Sequence, residues 1–167
     1  LRGNLARVRT VVDDYHQAGM GTGFNLDEAT DPVSTLRYLN EIAVSGARSG
    51  AEDRPVGNMA VLSLSHPRAE EFITCKVGAD ARGEEWKFNI SLSALHTAGR
   101  ERDLLVAAAE AAHSCADPGL LFTDRIQDGN PTPHLGQYVS TAPCAEVGLV
   151  PGETCQFGYV NLGRFHT

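Results

Sequence analysis

The sequence predicts an α/β fold in which strands alternate with helices around a parallel sheet. Three observations predict it. Apolar residues recur at helical spacing in several segments, short apolar runs lie between those segments, and glycine or proline stands at most junctions. The 167 residues, 42% of them hydrophobic and 21% charged, suit one globular domain. We expect about four strands and four helices, with both faces of the sheet covered.

The first two predicted elements are a helix and a glycine-rich strand. Leu5, Val8 and Val12 fall on one face at helical spacing, and Gly19 ends the helix. Residues 21–26 then alternate partly between apolar and small residues and include two glycines. This pattern is typical of a strand that has close backbone neighbours.

The second predicted helix begins at Asp31 and Pro32, because aspartate caps a helix and proline suits its first position. Its apolar stripe continues to Gly46, and residues 46–57 are expected to form a loop. Residues 59–64 predict a buried strand, since four of these six residues are large and apolar.

The remaining predicted elements are shorter. They are a helix over 67–75, a strand over 88–92, a Leu- and Ala-rich helix over 101–114 and a brief strand over 120–122. Four prolines interrupt the C-terminal part of the chain, in which no helix is predicted. A final strand is expected over 159–162.

Charge and hydropathy exclude two classes of partner. The net charge is −7, from 14 Lys and Arg against 21 Asp and Glu, whereas a protein that binds a nucleic-acid polymer needs a basic face. No apolar run approaches the roughly 20 residues that span a bilayer, and no charged-then-apolar leader opens the chain. We therefore expect a soluble, cytoplasmic protein with no nucleic-acid polymer and no membrane among its partners.

The four cysteines are too few for the disulfide framework of a small secreted protein. None forms a C-x-x-C pair, which argues against structural zinc. Cys75 and Cys115 are expected to be buried, structural thiols, whereas Cys144 and Cys155 lie in the proline-rich part of the chain.

Two further kinds of site are disfavoured by spacing. The glycines of residues 19–23 follow a helix and lead into a strand, the reverse of the dinucleotide-binding order, and no Lys-Ser or Lys-Thr closes a phosphate loop. His113 and Cys115 are two residues apart, whereas helical metal ligands are three or four apart. No Rossmann site, P-loop or metal site is predicted.

Cys144 and Glu146 form the candidate chemical motif. They are two residues apart in a loop bounded by prolines, and in an extended loop residues two apart point the same way. Such a thiol could act on a substrate while the carboxylate takes or returns a proton. By itself this motif is weak, because a buried cysteine beside a surface glutamate would show the same pattern.

An ordered series of motifs over essentially the whole chain resembles the catalytic subunit of ribonucleotide reductases. The short spacing between the last two cysteines is most similar to the adenosylcobalamin-dependent class. The motifs are Gly-Thr-Gly-Phe-Asn (21–25), Asp-Pro-Val-Ser (31–34), Gly-Asn-Met-Ala-Val-Leu (57–62), His-Pro-Arg-Ala-Glu-Glu-Phe-Ile (66–73), Phe-Asn-Ile-Ser (88–91), Asp-Pro-Gly-Leu-Leu-Phe-Thr-Asp-Arg-Ile (117–126), Asn-Pro-Thr-Pro (130–133) and Pro-Cys-Ala-Glu with Glu-Thr-Cys (143–155).

The resemblance implies a fold and a set of catalytic residues. The chain would be about the first half of a ten-stranded α/β barrel, with strands and helices over 1–128 and a finger loop and following strand over 129–167. Cys144 would become a thiyl radical that abstracts the 3′ hydrogen of a ribonucleotide, and Glu146 would handle the 3′-hydroxyl proton. Cys155 would be one of two thiols that reduce the 2′ carbon.

The resemblance also implies binding residues, a cofactor and partners. Gly21, Thr22 and Gly23 match backbone that lines the substrate pocket, where glycine permits close approach. Adenosylcobalamin would generate the radical. A thioredoxin-like dithiol would reduce the disulfide, and a homodimer or a complementary barrel half would complete the fold.

The resemblance also assigns one position to substrate contact and one short stretch to regulation. Ala142 stands where the family has an asparagine that binds the substrate hydroxyls. Arg54, Gly57 and Asn58 fall where the family has a loop that links the effector site to the substrate.

Several departures from the family pattern bear on activity. Ala145 replaces the glycine between cysteine and glutamate, the effector-linking loop at 53–57 is altered, and the stretch over 26–31 is short. The partner thiol of Cys155 is expected on a strand that would precede residue 1. The second barrel half, with its phosphate-binding part and most cobalamin contacts, is also not represented.

These departures leave three hypotheses open. The first is a radical deoxygenase that acts on a nucleotide or a nucleotide-like sugar. The second is a half-barrel without catalytic activity, which binds a partner or dimerises to cover its open sheet edge. The third is an unrelated small α/β protein in which Cys144 and Cys155 would lie far apart or would be buried and unreactive.

Overall fold

A computed structural model describes residues 5–50, 56–94, 100–156 and 158–165. Four parallel strands form the main sheet, in the order β1 (Gly23–Asn25), β2 (Asn58–Ser63), β3 (Phe88–Ala94) and β4 (Gly119–Phe122). An antiparallel hairpin joins β5 (Ser140–Thr141) to β6 (Gly148–Leu149). The helices are α1 (Leu5–Gln17), α2 (Pro32–Ser49), α3 (Ala69–Thr74), α4 (Arg100–Cys115) and α5 (Thr123–Asp128). The predicted α/β fold with a parallel sheet is confirmed.

Alternating residues give the sheet two different faces. Ala60, Leu62, Ile90 and Leu92 are fully buried on one face. They belong to one core with apolar residues from four helices, among them Val12 of α1, Leu36 of α2, Phe72 of α3 and Ala108 of α4. The cover that a parallel sheet requires is thus supplied on this side by α1 to α4.

The opposite face, called here the hairpin face, carries Met59, Val61 and Leu121. These three residues form a second, smaller cluster, against which Ile126 of α5 and Ala145 of the hairpin pack. The two faces therefore have different roles: one holds the main core, and the other holds the hairpin that carries the candidate cysteine and glutamate.

The second helix is longer than the sequence predicts. It continues to Ser49, so the loop expected from residue 46 was wrong at its start. Gly50 ends the helix in the left-handed region, with φ of 69°, and donates its N–H to the carbonyl of Ala47. The later of two glycines in the segment is thus the helix stop, because it alone takes the cap conformation.

In the C-terminal part, the strand expected over 159–162 was wrong, and α5 and the hairpin were not predicted. Residues 159–162 are not a strand, and Leu162–Arg164 form a short 3-10 turn. A strand needs a hydrogen-bonding neighbour, and within the described residues none pairs with this segment. α5 and the hairpin escaped prediction because six- and two-residue elements are too short to show a period.

A buried ion pair connects the ends of α3 and α4 to the sheet. Lys76 and Asp117 form this pair with side chains only 11% and 12% exposed. Lys76 Nζ also donates to the carbonyl of Phe88 at 2.6 Å, and Asp117 accepts the N–H of Ile90 at 3.2 Å. These additional bonds help to offset the desolvation of both charges, so the pair fixes the start of β3 against the entry to β4.

The start of α2 is held by a charged cap. Asp31 Oδ1 accepts the N–H of Ser34 at 2.9 Å, and Asp31 Oδ2 pairs with the Arg68 guanidinium at 2.8 Å. The Ser34 N–H, followed by Arg68, lowers the pKa of Asp31 from 3.8 to about 2. The cap therefore links the first turn of α2 to the residue before α3.

No helix in the described ranges is long and apolar enough to cross a membrane.

The charged cap makes stability depend on pH. Because the pKa of Asp31 is lower in the folded protein, its stabilising effect is complete above 3.8 and is lost as the pH falls through about 2. We expect Asp31→Asn, which keeps the cap acceptor but not the charge, to be less stable than the native protein near pH 7. The difference should shrink between about pH 4 and 2 in urea unfolding measured by circular dichroism.

The matched control is Asp128→Asn, because Asp128 is exposed at the end of α5. Its effect on the free energy of unfolding should stay small at every pH. A difference for Asp31→Asn that does not change with pH would contradict the role of the charge.

Candidate active site in the groove between the first helix and the hairpin

A groove of about 1180 Å³ lies between α1, the start of β1, the hairpin and residues 149–156. Its size is sufficient for a nucleotide-sized ligand. The sequence-predicted site residues that line it are Gly21, Thr22, Gly23, Gly57, Ala142, Cys144, Glu146 and Cys155. Asn58 is fully buried beneath the groove, and Arg54 lies outside the described residues.

The hairpin reaches the groove because two glycines leave room for it, Gly23 for its backbone and Gly21 for the side chain of Pro143. A Cβ on Gly23 would overlap the carbonyl oxygen of Thr141, and one on Gly21 would overlap the carbonyl oxygen of Gly57. The Gly21 Cβ would also stand 3.0 Å from Pro143 Cγ. Any larger residue at these positions would push the hairpin away from β1 and β2.

Two asparagine side chains fasten the hairpin to the sheet at opposite ends. Asn25, in β1, donates from Nδ2 to the carbonyl of Val139 at 2.9 Å. Asn89, in β3, donates from Nδ2 to the carbonyl of Pro143 at 3.0 Å. The segment from 139 to 143 therefore crosses the hairpin face from β1 toward β3.

The loop at the tip of the hairpin is a tight turn. The N–H of Ala142 donates to the carbonyl of Val147 at 3.3 Å, and that of Ala145 donates to the carbonyl of Ala142 at 2.9 Å. The sequence-based expectation of an extended loop, in which residues two apart point the same way, was wrong for this turn. Cys144 and Glu146 nevertheless line the same groove, because the turn folds around Ala145 between them.

Ala145 occupies a conformation that glycine would adopt without strain. Its φ is 64°, in the left-handed region, which costs a non-glycine residue roughly 1–2 kcal/mol. Its methyl group packs on the cluster of Met59, Val61 and Leu121, which offsets part of this cost. The left-handed backbone thus explains why the family pattern has glycine at this position, and Ala145 adopts the same conformation with strain.

The candidate thiols differ in environment. Cys144 is exposed and Cys155 is partly buried, and both line the groove. Cys75 is buried, and its burial raises the pKa of the thiol to about 11. Cys115 is partly buried and donates from Sγ to the carbonyls of Ala111 and Asp117 at 3.3 and 3.4 Å. The predicted burial of Cys75 is confirmed, and Cys115 lies at the end of α4 rather than fully in the core.

The charges along the groove are mainly negative. Glu146 and Glu153 line it, and Arg7 is its one cationic side chain among the described residues. Glu153 accepts the N–H of Val150 at 3.0 Å, which fixes that carboxylate to the wall. The described part of the chain contains no group of three or more His, Cys, Asp or Glu that could hold a metal.

One residue beneath the groove carries no signal in the sequence. His16, on α1, is 2% exposed, and its Nε2 lies 2.8 Å from Oδ1 of Asn58. The same oxygen accepts the N–H and the hydroxyl of Thr22 at 3.0 and 2.8 Å. His16 and Asn58 are 42 residues apart, so neither spacing nor periodicity relates them.

Comparisons with known proteins show what this chain is similar to. Residues 96–167 match the family model described as "Ribonucleotide reductase, barrel domain". A vitamin B12-dependent ribonucleoside-diphosphate reductase of Mycobacterium tuberculosis (strain CDC 1551 / Oshkosh) is 33% identical, over 90% of this chain and 27% of that protein. The protein of the same name from Thermoplasma acidophilum is 28% identical, over 90% of this chain and 24% of its own length. A vitamin B12-dependent ribonucleotide reductase of Streptomyces avermitilis is 25% identical, over 95% of this chain and 23% of that protein.

The chain spans about a quarter of the length of these curated relatives. The matches to them extend over nearly the whole chain, whereas the family model covers its C-terminal part, which includes the hairpin, Cys144 and Cys155.

The close approach of hairpin and sheet can be tested at Gly23. Because a Cβ there would overlap the Thr141 carbonyl, Gly23→Ala should loosen the hairpin, which is marginally stable without the sheet. Overpacking costs about 1–3 kcal/mol, and 1.4 kcal/mol corresponds to a factor of ten. We therefore expect hydrogen exchange of the Val139 and Ala142 amides, followed by NMR, to be roughly 5- to 100-fold faster.

Gly158→Ala is the matched control, since no atom lies within 4 Å of a Cβ at that position. It should leave exchange at the hairpin unchanged. Equal exchange rates in Gly23→Ala and the native protein would show that the hairpin does not depend on this contact.

Proposed function

We propose that this chain, which is similar to vitamin B12-dependent ribonucleotide reductases over nearly its whole length, covers part of a ribonucleotide reductase-like barrel and carries a thiyl-radical site for 2′-deoxygenation of a ribonucleotide. The observation that carries this proposal is the convergence of Cys144, Glu146 and Cys155 on one groove. A radical thiol, a reducing thiol and a carboxylate are three of the four groups that such a reduction requires, and the fourth is the partner thiol of Cys155.

The proposed reaction balances with these residues. The Cys144 sulfur radical takes the 3′ hydrogen, and Glu146 accepts the proton of the 3′ hydroxyl. The 2′ hydroxyl leaves as water after it receives a proton from a thiol. One thiol of the pair formed by Cys155 and its partner gives that proton, the other gives the hydrogen that replaces the hydroxyl on the 2′ carbon, and the pair supplies two electrons and ends as a disulfide. Glu146 returns its proton to the 3′ oxygen, and Cys144 returns its hydrogen to the 3′ carbon and is again a radical. An external dithiol of the thioredoxin type then reduces the disulfide.

Adenosylcobalamin is the proposed source of the radical, and when bound it supplies an organic radical that can take the hydrogen of a thiol. This chemistry requires a thiol that the radical can reach, and Cys144 meets the requirement because it is exposed on the groove. The corrin contacts and the partner thiol of Cys155 are assigned to the part of the relatives' length that this chain does not span.

The finer architecture belongs to the same proposal. The four parallel strands in sequential order, with α1 to α4 packed on one face, support a segment of a ten-stranded barrel. Residues 1–128 would form the half-barrel, and residues 129–167 the finger loop and the segment after it. We propose that the chain works in the cytoplasm, where dithiol reductants keep thiols reduced.

Substrate and effector positions are proposed from the same groove. Gly21, Thr22 and Gly23 would face the ribose together with the Ala142 backbone. The loop from Arg54 to Asn58 would communicate with the substrate, and the hydrogen bonds between Asn58 and Thr22 support such coupling. Phosphate binding is assigned to the second barrel half, and Arg7 is the one cationic side chain that the described residues place on this groove.

The proposal is tested by product formation from ADP and CDP. We expect 2′-deoxynucleoside, detected by mass spectrometry after phosphatase treatment, when the chain is complemented with the remaining barrel segment of a vitamin B12-dependent relative and supplied with adenosylcobalamin and dithiothreitol. Cys144→Ala should abolish the product because no radical can form at the groove. Glu146→Gln should lower the rate about 10²–10⁴-fold, the range for loss of a general acid–base group.

Cys115→Ala serves as the control, because Cys115 is a partly buried thiol at the end of α4 that does not line the groove. It should leave the rate unchanged. Product formation that persists in Cys144→Ala would overturn the radical assignment.

A second candidate function is a half-barrel that assembles without catalysis. Large apolar side chains are exposed near the C-terminus, where Tyr159, Leu162 and Phe165 are 89%, 77% and 72% exposed. The outer edge of β4 is unpaired within the described residues, and Leu120 and Phe122 are exposed on that strand. Exposed edges and apolar patches favour a partner, either a second copy or a complementary barrel half.

Assembly predicts a molar mass that rises with concentration in light scattering. Tyr159→Ser combined with Leu162→Ser should reduce the assembled fraction, because it removes two exposed apolar side chains. Arg164→Ser on the same segment is the control, and it should have less effect. Nucleotide binding without any deoxynucleoside product, together with stable assembly, would favour this second function over the first.

A further inference from the structure

His16, Asn58 and Thr22 form a polar network under the wall of the groove. His16 is 2% exposed and Asn58 is fully buried, whereas Thr22 is half-buried and lines the groove. Asn58 lies between the other two, and its Oδ1 is within 2.8–3.0 Å of His16 Nε2, Thr22 N and Thr22 Oγ1.

The hydrogen-bond directions in this network follow from the groups that can only donate. The backbone N–H of Thr22 is a donor, so the Asn58 atom that faces it must be the carbonyl oxygen. The amide nitrogen of Asn58 faces the carbonyl of Lys87 at 3.0 Å, which requires the same orientation. His16 Nε2 and the Thr22 hydroxyl must therefore also donate to this oxygen.

Thr22 is left with acceptor capacity only. Its N–H and its hydroxyl hydrogen are both donated to Asn58, and its carbonyl accepts the N–H of Met59 at 2.8 Å. A ligand that meets the Thr22 side chain finds oxygen lone pairs and no hydrogen to accept. This wall group consequently favours a ligand hydroxyl or amino group over a phosphate or carboxylate.

His16 holds this arrangement at a cost to stability. Its Nδ1 is buried and has no hydrogen-bond partner among the described residues. A buried polar atom without a partner is unfavourable, and an apolar side chain of similar size would avoid the penalty. The advantage of histidine here is its Nε2–H donor, which helps to hold the Asn58 carbonyl toward Thr22.

We propose that His16 is a positioning residue that, through Asn58, keeps Thr22 as an acceptor for one hydrogen-bond donor of the nucleotide. The donor is a ribose hydroxyl or an amino group of the base. The choice of a nucleotide as the ligand rests on the proposed function, whereas the hydrogen bonds of the network do not depend on it.

The binding test compares ADP with three analogues that each lack one donor: 2′-deoxy-ADP, 3′-deoxy-ADP and purine riboside diphosphate, which lacks the 6-amino group. Isothermal titration calorimetry on the 167-residue chain should show about tenfold weaker binding of at least one analogue, the effect of one good hydrogen bond. The analogue that loses affinity identifies whether the ribose or the base meets Thr22.

Three variants separate positioning from structural support. Thr22→Val should abolish the difference in affinity between ADP and that analogue. His16→Leu should reduce the ratio of their dissociation constants severalfold. His16→Gln retains an N–H that can reach Asn58, so it should restore the discrimination. Equal weakening of all four ligands in His16→Leu, with discrimination kept, would overturn the positioning role.

A ligand-independent measurement keeps the network testable if a variant fails to fold. The ¹⁵N shifts of the His16 ring in the native chain should show a proton on Nε2 and none on Nδ1. A proton on Nδ1 alone would overturn the network. Failure of ADP and all the analogues to bind the native chain would instead overturn the proposed function and the ligand class, and it would leave the tautomer result standing.

Discussion

The absence of side chains at Gly21 and Gly23 is the constraint on which the groove depends. At Gly23 the hairpin crosses the sheet so closely that a single methyl group would overlap the carbonyl of Thr141. At Gly21 a methyl group would overlap the carbonyl of Gly57 and crowd the side chain of Pro143 in the hairpin. Hydrogen bonds from Asn25 and Asn89 then hold the crossing segment at its two ends. The hairpin tip, and with it the candidate thiol and carboxylate, stands where it does because β1 offers bare backbone.

Asn58 connects three parts of the molecule that are remote in sequence. Its side chain receives hydrogen bonds from α1 and from the strand entry at Thr22, and it donates to the residue before β3. A buried amide with all of these partners satisfied stabilises one orientation of the groove wall. Asn58, the first residue of β2, is thereby in direct contact with Thr22, which lines the groove.

The prediction from sequence succeeded where local chemistry governs the structure. The cap at Asp31, the buried strand at β2 and the Leu- and Ala-rich α4 follow from capping, hydrophobicity and helix propensity. The end of α2 was missed because either Gly46 or Gly50 could have stopped the helix. The hairpin was missed because its two-residue strands are held by distant contacts with β1 and β3.

By itself, the sequence determined the α/β class, the resemblance to ribonucleotide reductases and the identity of the candidate groups, since motif order and residue chemistry are written along the chain. Only the tertiary structure decided that Cys144, Glu146 and Cys155 share one groove, because that depends on where the hairpin docks. It also decided the role of His16, whose partner is 42 residues away. Hydrogen-bond direction and backbone overlap are properties of atoms brought together by folding, and no local pattern encodes them.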